Sequence, residues 1–265
     1  MSECNSGCGE CKSRESCGIR KAPLNKDSSI HKIIGIISGK GGVGKSTVTA
    51  LIARKLTSMG YSVGIMDADI TGPSVPAMFG IHGKAVSDEK GIYPLVSQEG
   101  IKIMSMNLML DSEETPVIYR GPVIASIIKQ FYSNVIWGRL DYLLIDMPPG
   151  TGDVPLTVYQ SLPVDGVVMV TSPQKLVKMI VMKAVNMAAK MSVPLLGIVE
   201  NYSYFKCDDC DRIYEIFGNS KADELAKELN TTVIAKIPIM PEVAQCEDEG
   251  VSVTQDVDMD LSNLL

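Results

Sequence analysis

Residues 39–47 read Gly-Lys-Gly-Gly-Val-Gly-Lys-Ser-Thr, directly after the apolar run Ile33–Ile37 and at the start of a helix-length segment, Lys45–Met59. No other stretch constrains the fold as tightly. It satisfies G-x-x-x-x-G-K-[ST] in the strand–loop–helix context that the motif requires. The glycines let the backbone curl so that several N–H groups face the β- and γ-phosphates of a nucleotide, and the helix N-terminus adds partial positive charge. Lys45 supplies a point charge, and the Ser46 hydroxyl is offered to Mg²⁺. Gly39, Lys40, Gly41, Gly42, Val43, Gly44, Lys45, Ser46 and Thr47 are therefore expected to hold ATP.

The chain around this loop alternates in the manner such a loop needs. Ile33–Ile37, Ser62–Met66, Leu140–Ile145, Gly166–Val170 and Leu195–Val199 are nearly continuous Ile, Leu and Val, the pattern of strands buried on both faces. Lys45–Met59, Pro122–Ile136, Val154–Gln160, Lys175–Met191 and Asn219–Leu229 read as the intervening helices, with Gly60 as a C-cap. The fold class is thus α/β: a doubly wound, mostly parallel sheet flanked by helices. Residues 83–118 break the alternation and read as a hairpin insertion. Residues 1–30 carry four cysteines and no apolar period, so they form a Cys-rich segment ordered by metal, appended to an ATPase domain over 31–265.

Composition excludes several functions. With 45% apolar and 21% charged residues, the 265-residue chain is a globular protein. Its net charge of −6 argues against a protein that holds nucleic acid through phosphate neutralisation. No apolar run approaches the roughly 20 residues of a membrane span, and the first residues are polar rather than signal-like. A cytoplasmic protein without membrane or nucleic-acid partners is expected.

Three carboxylates belong with the loop. Asp67 and Asp69 follow the second strand and Asp146 ends the strand through Ile145, at the edge where open α/β sheets collect ligand groups. Asp146 fits a carboxylate near Mg²⁺. Lys40, a second lysine inside the loop, would crowd Lys45 at its own phosphates, but it can reach across a dimer to the partner's nucleotide.

Seven cysteines form two groups and a singleton, Cys246. Cys207 and Cys210 make a CxxC; two thiolates fall short of the four ligands that zinc or an iron–sulfur cluster needs, unless other residues or a two-fold dimer complete the set. Disulfide exchange is a third chemistry open to the pair. Cys4, Cys8, Cys11 and Cys17 offer four thiolates within one chain, enough for a whole cluster.

KGGVGKST resembles the deviant phosphate loop of the class containing MinD, ParA and the nitrogenase iron protein. Met147-Pro148-Pro149-Gly150-Thr151-Gly152-Asp153, Tyr119-Arg120-Gly121-Pro122, Thr171-Ser172-Pro173-Gln174 and Gly197-Ile198-Val199-Glu200-Asn201 narrow this to a resemblance to the Mrp/ApbC iron–sulfur cluster carriers, over roughly residues 32–255. The resemblance implies a homodimeric ATP hydrolase that carries clusters to apo iron–sulfur proteins. It implies catalysis by Lys40, Lys45 and Asp69, with Asp69 activating water, Asp67 and Asp146 holding hydrated Mg²⁺, and Asn201 at adenine. It also implies a [4Fe-4S] cluster on Cys207 and Cys210 at the dimer interface. The N-terminal cysteines resemble the motif of the eukaryotic cytosolic scaffold branch, although Cys4 stands closer to Cys8 than that pattern has it. The alternative is a MinD- or ParA-like positioning or regulatory ATPase with structural zinc at the CxxC; the acidic end, residues 253–260, argues against the membrane or DNA surface it would need.

Overall fold

The computed structural model describes residues 21–69, 74–109, 121–174, 177–207, 210–241, 243 and 257–265. Cys4, Cys8, Cys11, Cys17 and Cys246 lie outside them, as do Tyr119 and Arg120. In chain order the elements are β1 (Ser29–Ser38), α1 (Lys45–Ser58), β2 (Val63–Asp67), α2 (Val75–Met78), β3 (Val86–Asp88), β4 (Gly91–Tyr93), β5 (Leu95–Val96) and β6 (Lys102–Met104). The second half holds α3 (Gly121–Ser133), β7 (Arg139–Asp146), α4 (Asp153–Ser161), β8 (Gly166–Thr171), α5 (Val177–Lys190), β9 (Leu195–Glu200), β10 (Phe205–Lys206), β11 (Ile213–Tyr214), α6 (Ala222–Glu228) and β12 (Val233–Lys236).

Among the described residues, eight strands form one sheet in the order β12-β9-β8-β1-β7-β2-β6-β5. All neighbours run parallel except the edge strand β5, antiparallel to β6. Both faces are covered. Ile33 and Ile37 of β1 pack with Trp137, Phe131, Val158 and Val181 on the side of α3, α4 and α5. Ile34 and Ile36, one residue out of phase, pack with Val48, Ile52 and Leu56 of α1 on the other. Opposite facing of successive residues is why the strands read as unbroken apolar runs.

The five expected strands and five expected helices all form, with shifted ends. Gly60 takes φ +92°, the left-handed conformation of a residue just beyond a helix end, and donates its N–H to Thr57 O. The helix read over Pro122–Ile136 stops at Ser133, and that over Asn219–Leu229 shrinks to Ala222–Glu228. The segment 83–118 is not one inserted hairpin: among its described residues β3 and β4 pair separately, while β6 joins the main sheet beside β2 and β5 closes its edge. β12 and the β10–β11 hairpin were not anticipated; both are too short for a periodic signal.

The approach to β1 is fastened to the end of α4. Ala22 N–H donates to Ser161 O at 2.7 Å, and Lys21 Nζ donates to Tyr159 O and Leu162 O at 2.6 and 2.8 Å. A cation suits a helix C-terminus, whose last carbonyls lack helical partners. Burial pulls the Lys21 amine below its usual range.

Candidate functional site

The centre of the site is dictated by register. Asp67 on β2 lies directly opposite Asp146 on β7, and Asp146 in turn lies opposite Ile36 on β1, two residues before the strand ends. Both carboxylates therefore emerge at the C-terminal sheet edge beneath the glycine loop. Gly42 and Gly44 hold φ of +78° and +73°, a region L-residues avoid, so these two positions need glycine for the loop to turn.

Asp146 is buried and accepts side-chain hydrogen bonds on both oxygens. Lys45 Nζ and Thr49 Oγ1 lie 2.7 and 2.9 Å from its Oδ1, and Ser46 Oγ donates to Oδ2 at 2.6 Å. Asp67, equally buried, accepts the Asp69 N–H and the Ser105 hydroxyl, each at 3.1 Å. Burial, aided by the Asp146 charge and opposed by Lys45, pushes the Asp67 carboxyl up to about 8. Two carboxylates thus share one ammonium, a donor set short of positive charge. Such a set suits a divalent cation beside a phosphate.

A cavity of about 230 Å³ opens over this pair, lined by the loop together with Ser38, Asp69, Ser74 and Pro149. Gly150, at φ +85°, donates its N–H to Ser38 O at 2.9 Å, tying the Pro148-Pro149-Gly150 arm to the start of the loop. Lys40 is exposed, and its Nζ donates to Gln174 Oε1 at 3.2 Å, on the segment after β8.

Asn201 follows the last residue of β9 and is 2% exposed. Its Nδ2 donates to Val43 O at 3.0 Å, and its Oδ1 accepts the Tyr202 N–H at 2.9 Å. Four residues on begins the β10–β11 hairpin. Phe205 pairs with Tyr214 and Lys206 with Ile213. Cys207 N–H donates to Arg212 O, and Asp211 N–H returns to Cys207 O, both at 3.0 Å. Cys207 is half-buried, Cys210 is exposed, and neither is in a disulfide. Among the described residues no group of three or more His, Cys, Asp or Glu could hold a metal ion.

The profile of the ParA family, described as NUBPL iron-transfer P-loop NTPase, matches residues 29–264. The chain belongs to that family. An iron–sulfur cluster carrier protein of Methanocaldococcus jannaschii is 43% identical over 262 residues, covering 95% of this chain and 90% of the relative. One of Clostridium perfringens is 41% identical, covering 92% of each. In structure, the nucleotide-binding protein of Archaeoglobus fulgidus in complex with ADP superposes with a TM-score of 0.78 at 44% identity, over 86% of this chain and 90% of that one. The cell-division ATPase MinD of Pyrococcus furiosus matches at a TM-score of 0.58 and 22% identity over 83% of this chain and 88% of that one, a likeness of fold.

Within this P-loop NTPase, the residues read from the sequence divide by place. Lys45, Ser46 and Asp146 meet in one hydrogen-bonded knot, with Asp67 alongside. Asp69 lines the cavity above them. Thr49, Ser105 and Tyr202 were missed. Thr49 carries a signal in hindsight: it stands one turn after Lys45, a polar residue among Val48, Leu51 and Ile52. Ser105 carries none, because its role depends on β6 lying beside β2. Among the described residues, no helix is long and apolar enough to cross a membrane.

Proposed function

We propose that this P-loop ATPase works as a cytoplasmic homodimer that binds an iron–sulfur cluster between two copies of Cys207 and Cys210 and delivers it to apo iron–sulfur proteins. One observation carries the reading: the cysteine hairpin hangs from the strand end whose next residue, Asn201, is hydrogen-bonded to the phosphate loop. The continuous segment from Asn201 to the cysteines thus joins the nucleotide site to the thiolate pair. Relatives named as iron–sulfur cluster carriers, 41% and more identical over most of the chain, support it.

The donor set fits Mg²⁺. Ser46, Asp67 and Asp146 would hold the ion with its waters, and it would neutralise charge on the phosphates. The chain's own residues do the rest. Lys45 leaves Asp146 for the phosphates once the carboxylates have another cation. Asp69, at the cavity wall, orients the attacking water. Lys40, exposed on the loop, stabilises transition-state charge on the partner's nucleotide. Asn201 retains one amide hydrogen and one lone pair with which to meet an adenine edge.

The [4Fe-4S] cluster is cargo. Two thiolates per copy and two copies supply its four ligands, and exposure of Cys210 lets an acceptor's thiolates displace them stepwise. Cys4, Cys8, Cys11 and Cys17 would hold a second cluster within one chain. Anaerobic reconstitution with iron and sulfide tests both. Cys207→Ala or Cys210→Ala should lose one cluster per dimer while the tail keeps its own. Wild-type transfer to an acceptor by either variant would make the tail the donor and defeat this assignment.

A further inference from the structure

Between the phosphate loop and the cysteine hairpin lies a short segment held in an unusual conformation. Tyr202 has φ +57°, the left-handed region that a bulky aromatic residue enters only when its surroundings require it. Its N–H is occupied by Asn201 Oδ1, while Asn201 Nδ2 holds the Val43 carbonyl. A Cβ built on Gly44 would collide with Asn201 Nδ2 and stand 2.9 Å from Tyr202 Oη, so both side chains lie directly on the loop. The Tyr202 ring also meets Phe217 edge to face, with centroids 6.4 Å apart and planes at 61°. Phe217 sits in the turn that immediately follows β11, the strand that closes the Cys207/Cys210 hairpin.

We propose that Asn201, Tyr202 and Phe217 form a mechanical link through which occupancy of the phosphate loop immobilises the cysteine hairpin, an inference that rests on the hairpin being the metal-binding element. The direction follows from one peptide unit. Val43 C=O and Gly44 N–H belong to the same planar, trans peptide and point opposite ways. Fixing the carbonyl on Asn201 therefore aims the Gly44 N–H away from Asn201, toward the side from which a phosphate loop grips its ligand. When that N–H donates to a phosphate, the peptide polarises and its carbonyl becomes a better acceptor for Asn201. Bound nucleotide thus tightens the Asn201 contact and holds Tyr202 in its left-handed conformation. It also keeps the ring against Phe217. Without nucleotide the Asn201 contact lacks this reinforcement, so the strain at Tyr202 is less firmly opposed and the hairpin is held more loosely. Asn201 and Tyr202 are positioning residues here: they act through the loop and the hairpin, not on the reacting atoms.

The link is testable without any cluster. The full chain, reduced and metal-free, is alkylated with N-ethylmaleimide with and without Mg-ATP, and modification of Cys207 and Cys210 is followed peptide by peptide. Nucleotide should slow modification of the pair by about fivefold, the low end of ordinary coupling between sites. Phe217→Ala should abolish the slowing while binding ATP as the unsubstituted chain does. Tyr202→Gly should abolish it too, and glycine accepts the left-handed backbone, so the fold is kept. Equal alkylation rates with and without ATP in the unsubstituted chain overturn the link. Slowing that survives in both variants does the same, because protection then comes from elsewhere, such as subunit contact. Iron and sulfide counts on Cys207→Ala judge the cluster assignment separately, so the failure of one reading is not mistaken for failure of the other.

Discussion

Lys45 lies on Asp146, and this decides what its loss does. Removing the ammonium leaves Asp146 and Asp67 buried side by side with no cation, and breaking a buried pair in this way costs about 3 kcal/mol or more. Lys45→Met should therefore lower thermal stability as well as abolish tight ATP binding. Adding Asp146→Asn should recover much of the stability and none of the binding, measured by calorimetry and nucleotide titration. A Lys45→Met chain as stable as the parent would mean that Asp146 finds another partner. The same crowding makes stability depend on pH. Asp67 is raised from 3.8 to about 8, mainly by burial, so between those values the folded chain keeps a proton that the unfolded chain releases. Its contribution is complete below about pH 4 and is lost as pH rises through about 8. In EDTA without nucleotide, stability should fall across pH 5–8, and Asp67→Asn should flatten that part of the profile. Parallel profiles would show that Asp67 ionises normally.

At the level of elements, the glycine loop offers a controlled comparison. Gly42 and Gly44 have nearly the same φ, but a Cβ on Gly42 meets nothing within 4 Å, whereas one on Gly44 strikes the Asn201 amide. Gly42→Ala should cost only the left-handed strain, about 1 kcal/mol. Gly44→Ala should cost more and dislodge Asn201, reducing ATP affinity well beyond the effect at Gly42. Equal losses in a titration of both variants would remove Asn201 from the account of the loop. This contact also marks the limit of what the sequence discloses. β1, β2, β7, β8 and β9 are legible because each is buried on both faces, and Lys45, Ser46 and Asp146 are legible because strand, loop and helix fix their places. β5 and β6 are not, because strands of two and three residues carry no period and owe their existence to the edge of β2. The packing of Tyr202 on Gly44 is equally hidden, since it joins residues 158 positions apart through the order of the sheet.

For the whole molecule, the question is whether one chain holds a complete ATPase site. Lys40 is exposed and engaged with Gln174, while Asp69 lines the cavity of its own subunit. If Lys40 serves the partner's nucleotide and Asp69 its own, then Lys40→Ala and Asp69→Ala chains are each inactive alone but complementary together. In a mixed dimer, the site on the Lys40→Ala subunit has its own Asp69 and receives Lys40 from the other subunit. The second site has neither. Random pairing of equal amounts makes half the dimers mixed, each with one working site in two, so turnover should recover to about one quarter of wild type. Lys40→Ala alone should retain ATP binding, which separates lost chemistry from lost affinity. If Lys40 acts within its own subunit, both sites of the mixed dimer lack a required residue, and mixing restores nothing. The assay is steady-state phosphate release after co-refolding or subunit exchange, and the two geometries differ by recovery against none.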